Sequence, residues 1–162
     1  PELNTQEIKQ FGRMLKDAEY VVHGWPPLMV SRHCVLNSRT GSCGSDSPCQ
    51  QACRKPYGLK DRMKLTFPLR TDRGCRMYIY NSKELCLIEN LAELVGYGVM
   101  YLRIEAKIQD SRHVERVVTD YDKILKLIKA GVYTAEDGER ARERLEASSP
   151  QGITKGHYFR GV

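Results

Sequence analysis

Four of the six cysteines, Cys34, Cys43, Cys49 and Cys53, fall within twenty residues rich in Gly, Ser and Pro, between two segments of strand character. So few apolar side chains cannot bury a core, and the segment must be held by a metal centre or by disulfides. Sulfurs that converge on one centre need a compact, irregular loop, because a helix or strand imposes its own spacing. Cys49 and Cys53 form C-x3-C, with Cys34 fifteen residues before Cys49. This is not the paired C-x2-C of zinc ribbons, which weakens zinc without by itself identifying a cluster.

The chain has 162 residues, 41% of them hydrophobic, enough for one ordinary domain or a piece of one. No apolar run approaches the ~20 residues that cross a bilayer, and no signal peptide opens the chain. A cytoplasmic protein without membrane contact is expected, and in a reducing cytosol clustered thiols are metal ligands more often than disulfides. The net charge of +6 is spread along the chain, so it gives a mild positive field and no basic arm. Such a field suits RNA or an anionic small molecule, and equally a plain solvated surface. There is no initiator Met, and the first residues already read as a helix start; a fragment lacking its N-terminal half is expected.

Asn4 to Glu7 has the form of a capping box, and Ile8, Phe11 and Leu15 continue it as an amphipathic helix over residues 5–16. A strand follows at 19–23, then a short apolar run, Leu28-Met29-Val30, that delivers the chain to Cys34; residues 35–56 read as irregular. Residues 57–70 alternate like a hairpin with its tip near Asp61 to Lys64, and 76–80 form another strand. Asn81 with Glu84 reads as a second capping box, opening a helix with Leu87, Ile88, Leu91, Leu94 and Val95 as its buried stripe. A strand at 99–105 precedes a longer helix at 111–130, with Val114, Val117, Val118, Tyr121, Ile124, Leu125 and Ile128 on one face and Gly131 closing it. Residues 134–147 can form a charged helix. This rhythm predicts an α/β fold with parallel strands, either an open sheet or the latter part of a (β/α)8-type barrel. A whole barrel needs ~250 residues. The division expected is 1–130, a barrel part with the cysteine loop at 34–56 inserted, and 131–162, a charged helix and the start of a following segment.

Five stretches together carry a resemblance: Glu19 to Gly24 (EYVVHG), Pro27 to Cys34 (PLMVSRHC), Cys49-x3-Cys53, Tyr80 to Cys86 (YNSKELC) and Leu102 to Glu105 (LRIE). In order and spacing they resemble the C-terminal half of the U-32 (collagenase-like) peptidase family. The tail from Thr154 to Gly161 resembles that family's segment after the barrel. The resemblance implies an α/β barrel with a cysteine-bound four-iron four-sulfur cluster. It also implies kinship with oxygen-independent hydroxylation enzymes that act on RNA bases or ubiquinone precursors, some using prephenate. Many members have a cysteine where this chain has Pro27, so Cys34, Cys49 and Cys53 carry over as ligands and a fourth must be found. Cys75 is the first choice and Cys86 the second, with a buried helix residue as the plainer role for Cys86; Cys43 reads as a free loop thiol. A ligand from the missing half is a further option.

The family's peptidase label finds no support in local motifs, because the chain shows neither a G-x-S-x-G elbow nor an H-E-x-x-H pair. Arg103 and Glu105 alternate with Leu102 and Ile104, so both project from one strand face near its C-terminal end, where barrel enzymes place their chemistry. Glu105 is then an acid, base or hydrogen-bonding group and Arg103 an anion holder, or the two are an internal ion pair. Asn81 can face the same site or simply cap. His23 can reach a cluster sulfur or substrate, or be a satisfied structural histidine; His33 invites a mixed Cys/His site. Trp25 can stack on a base or pack on the loop, and His113 reads as a surface or capping residue. The functions that follow are an iron-sulfur enzyme modifying RNA or a small aromatic molecule, a peptidase, or a non-catalytic module held by zinc or a structural cluster that docks RNA or protein.

Overall fold

The computed structural model describes residues 2–12, 14, 17–36 and 51–160. They form two compact units, one of Pro1–Trp25 with Lys83–Val162, the other of Pro26–Ser82. The boundaries between these units fall at the two ends of the cysteine-bearing segment. The architecture is mixed α/β.

The first unit begins with α1 (Thr5–Gly12), shorter than the expected 5–16, of which Arg13, Leu15 and Lys16 lie outside the described residues. Its capping box forms as expected: the Asn4 amide donates to Glu7 Oε2 at 2.8 Å and the Glu7 amide to Asn4 Oδ1 at 3.1 Å. A four-stranded sheet runs in the order β7-β1-β6-β8, with β1 at Glu19–Gly24, β6 at Glu84–Cys86, β7 at Tyr101–Glu105 and β8 at Ile153–Thr154. The β1/β7 and β6/β8 pairs are parallel and β1/β6 is antiparallel. Parallel pairing is expected of the α/β units; the antiparallel contact is possible because no crossover helix lies between β1 and β6.

No helix starts at Asn81. Residues 84–86 extend and pair with β1, His23 opposite Cys86 and Gly24 opposite Leu85. Helical structure begins only with a 3₁₀ turn at Ile88–Asn90, leading into α2 (Leu91–Gly96). Then come α3 (Ser111–Lys129) and α4 (Ala135–Ser148). Val117, Tyr121 and Ile124 of α3 are buried as the stripe predicts, while Val118 is exposed. Gly131 takes φ +71 just after α3, the left-handed closure that glycine allows. α4 is tied to α3 by Arg144, which donates to Asp120 at 2.8 Å. Val22, Leu87, Ile88, Leu91, Leu94, Val117, Leu145 and Tyr158 make one core with the sheet.

The second unit is an antiparallel sheet in the order β2-β5-β4-β3, with β2 at Pro27–Ser31, β3 at Tyr57–Lys60, β4 at Thr66–Thr71 and β5 at Met77–Tyr80. The β3–β4 turn closes where Asp61 accepts from the Leu65 amide at 2.9 Å. In the β4–β5 turn, Asp72 Oδ1 accepts from the amides of Gly74 and Arg76, an Asx arrangement that holds Cys75 at φ +58. Leu36, Leu69 and Met77 form a small core.

Candidate functional site

Of the three predicted ligands that lie in the described residues, Cys34 and Cys53 both pack against the Leu36, Leu69 and Met77 core, and each is partly exposed. Strand β5 supplies Met77 to that core, and the turn before it carries Cys75, which is exposed. Cys43 and Cys49 lie outside the described residues. A hollow of about 450 Å³ borders the same core, lined by Val35, Leu36, Tyr57, Leu59, Lys60 and Leu69. Cys86 behaves otherwise. It sits in β6 within the core of the first unit, and burial pushes its thiol up to about 11. It is 2% exposed and packs among the apolar side chains of that core. Its plainer reading as a packing residue holds, although on a strand and not on a helix.

Arg103 and Glu105 do share one face of β7. Their side chains pair at 2.5 Å, Arg103 also reaches Glu19 at 3.1 Å, and Lys107 approaches Glu105 at 3.4 Å. Arg103 is 45% exposed, whereas Glu105 is buried. Two carboxylates answer its charge, which leaves the guanidinium little unpaired charge for an anion.

The densest polar cluster of the first unit was not foreseen as a set. His23 on β1 is fully buried, and its Nε2 lies 2.8 Å from Oε1 of Glu84 on β6, itself 1% exposed. His113, in the first turn of α3, brings its Nε2 to 2.9 Å from the same oxygen. The Gln109 amide nitrogen also contacts that oxygen. Burial alone would raise the Glu84 carboxyl; hydrogen bonds and charge from His23 and His113 outweigh it and hold the group below its ordinary value, as a carboxylate. Behind His23, the Tyr121 hydroxyl donates to the Val22 carbonyl at 2.8 Å and lies 3.3 Å from His23 Nδ1.

Local sequence puts these groups where they are. Asp110 caps α3 by accepting from the His113 amide at 3.0 Å, so His113 is neither the cap nor a surface residue: its side chain, 11% exposed, turns inward to Glu84. Gly24, at φ +107, brings β1 so close to β7 that a Cβ there would stand 2.1 Å from the Glu105 carbonyl oxygen. The chain then turns into Trp25. Together Trp25, Glu84, Gln109, Asp110, His113 and Ser148 line a pocket of about 190 Å³. The Trp25 indole nitrogen and Gln109 Oε1 are buried there with no hydrogen-bond partner among the described residues. His23, Glu84 and His113 offer donor atoms all within 4.8 Å of one another, an arrangement able to hold a metal ion. His33 is exposed beyond β2, with its amide bonded to Ser31 Oγ. No helix among the described residues is long and apolar enough to cross a membrane.

Comparison with known proteins agrees with the resemblance carried by the five motifs. The 23S rRNA 5-hydroxycytidine C2501 synthase of Escherichia coli (strain K12) is 30% identical over 135 residues, which is 78% of this chain and 19% of that protein. The chain therefore spans about a fifth of the length of this curated relative. No solved structure matches. The family model for Peptidase family U32 matches residues 1–161, and the chain belongs to that family.

Proposed function

We propose that this chain is part of an enzyme that modifies RNA by oxygen-independent hydroxylation of a base. The observation that carries the reading is the match to a synthase of hydroxycytidine in 23S rRNA, which covers most of this chain. The word peptidase belongs to the family's name, and the matched relative is named for nucleotide chemistry. A ribosomal RNA substrate would place the protein in the cytoplasm, and the net charge of +6 favours a polyanionic partner.

The same proposal includes a four-iron four-sulfur cluster held by Cys34, Cys49, Cys53 and Cys75. What supports it is the packing of Cys34 and Cys53 on one small core, both partly open to the surface, with Cys75 on the turn that leads into that core. When bound, such a cluster supplies redox or Lewis-acid chemistry. Zinc on the same thiolates would instead make the second unit a structural module. In the first unit, Arg103 and the buried Glu105 enter as an ion pair on β7 that can position a substrate edge, and β7, parallel to β1, is the sheet edge to which further strands of a (β/α)8-type barrel would add.

Nucleoside mass spectrometry on ribosomal RNA tests the reading. Cells that carry the gene should contain a cytidine heavier by one oxygen, absent when the gene is removed; identical nucleoside profiles contradict it. Iron and sulfide in the protein purified without oxygen test the cluster: both should be present and fall sharply in Cys53→Ser, whereas stoichiometric zinc contradicts it.

A further inference from the structure

The buried cluster behind the Trp25 pocket uses none of the cysteines proposed above, and its chemistry can be worked out from its hydrogen bonds. The Tyr121 hydroxyl donates to the Val22 carbonyl at 2.8 Å, its shortest contact. Its oxygen therefore accepts from its other neighbours, the Leu87 amide at 3.3 Å and His23 Nδ1 at 3.3 Å. Assigned in this way, the His23 ring proton is on Nδ1, and Nε2 presents a lone pair. That lone pair points at Glu84 Oε1, 2.8 Å away. Two electron-rich atoms so close need a cation on both, either a further proton or a metal ion.

The surroundings favour a metal. A second imidazole nitrogen, Nε2 of His113, meets the same carboxylate oxygen at 2.9 Å, and the three donors come from three separate elements, β1, β6 and α3. Two imidazoles and one carboxylate are the donor set of catalytic zinc sites and of non-haem iron(II) sites, both of which keep a position open. Tyr121, holding the far nitrogen of His23, stands where an outer-shell partner fixes a ligand's tautomer. The open side of the cluster is the pocket of about 190 Å³, where Trp25 Nε1 and Gln109 Oε1 lack partners. A donor and an acceptor left bare on one wall are what a metal-bound water or ligand would satisfy.

We propose that His23, Glu84 and His113 bind one divalent transition-metal ion, zinc or iron(II), with an open coordination position facing the Trp25 pocket.

Cobalt(II) titration of the full chain, freed of metal and kept from air, tests this. Cobalt on this site should give visible d–d bands without the intense near-ultraviolet thiolate charge transfer that cobalt on the cysteines produces. His113→Ala, at the accessible start of α3, should abolish the first signal, weakening that site at least about 100-fold, and leave the second intact, since even outer-shell changes cost 10–100-fold. Competition by Zn²⁺ and by anaerobic Fe²⁺ then ranks the two metals. Zn²⁺ should also raise the melting temperature of the wild-type chain more than that of His113→Ala, a readout that needs no cobalt. Cobalt bound through thiolates alone, or spectra and affinities unchanged in His113→Ala, would overturn the proposal and show that a proton holds the cluster together.

Discussion

His23 Nε2 lies 2.8 Å from Glu84 Oε1, although the two residues are 61 positions apart and neither is more than 1% exposed. Removing one member of such a pair strands the other in a site with little water. Glu84→Ala should therefore cost about 3–5 kcal/mol of stability, read from urea unfolding of the metal-free chain. Arg103→Ala removes a half-exposed side chain and leaves Glu105 with Lys107 as a partner, so it should change the urea midpoint far less. Equal effects of the two substitutions would show that the buried cluster has no special weight.

Acid should expose the same relationship. Burial raises the Glu84 carboxyl, but the two histidines bring it below its ordinary value, so the unfolded chain binds this proton more readily than the folded one. The stabilisation is then complete above the unfolded carboxyl's value, about 4.3 for glutamate, and is lost as pH falls through the lower folded value. In urea titrations at successive pH values, Glu84→Gln should flatten this acid limb. A limb of the same slope in both proteins would assign acid sensitivity to other carboxylates.

Thiol chemistry separates the cysteines. Cys75 is exposed, whereas Cys86 is buried with its thiol pushed up to about 11. In the apo chain at pH 8, iodoacetamide should modify Cys75 and leave Cys86 intact until urea unfolds the protein, as peptide mass spectrometry will show. Prompt modification of Cys86 would mean that the core around β6 opens.

Gly24 has no room for a side chain. Its φ of +107 and the 2.1 Å approach of a Cβ to the Glu105 carbonyl oxygen both oppose substitution. Gly24→Ala should cost at least about 2 kcal/mol and shift Trp25 fluorescence, since Trp25 follows directly. A variant as stable as the parent would contradict the close packing of β1 on β7.

Much of the fold was readable locally. The alternation in residues 57–70 and the stripe Val117, Tyr121, Ile124 announce their elements because each pattern lies within one window. Strand β6 was hidden because Asn81 and Glu84 imitate a cap, and a three-residue strand has too little alternation to compete. Its conformation is set by pairing with β1 and by the histidines that Glu84 meets, which is tertiary context. The buried cluster was illegible for the same reason: His113 is 29 residues from Glu84, and no spacing rule joins them. A glutamate amid the apolar residues Leu85, Leu87 and Ile88 was the one local hint, since a carboxylate in such company needs buried partners. Cysteine clustering, by contrast, is local, and Cys34 and Cys53 both fall in the second unit.

Whether this protein hydroxylates ribosomal RNA through its cysteines can be decided in one comparison. A strain lacking the gene is complemented with the wild-type gene or with Cys34→Ser, and hydroxycytidine in its 23S rRNA is quantified by mass spectrometry. Hydroxycytidine restored by the wild type and missing with Cys34→Ser is the expected result; equal levels with both genes, or none with either, would contradict it.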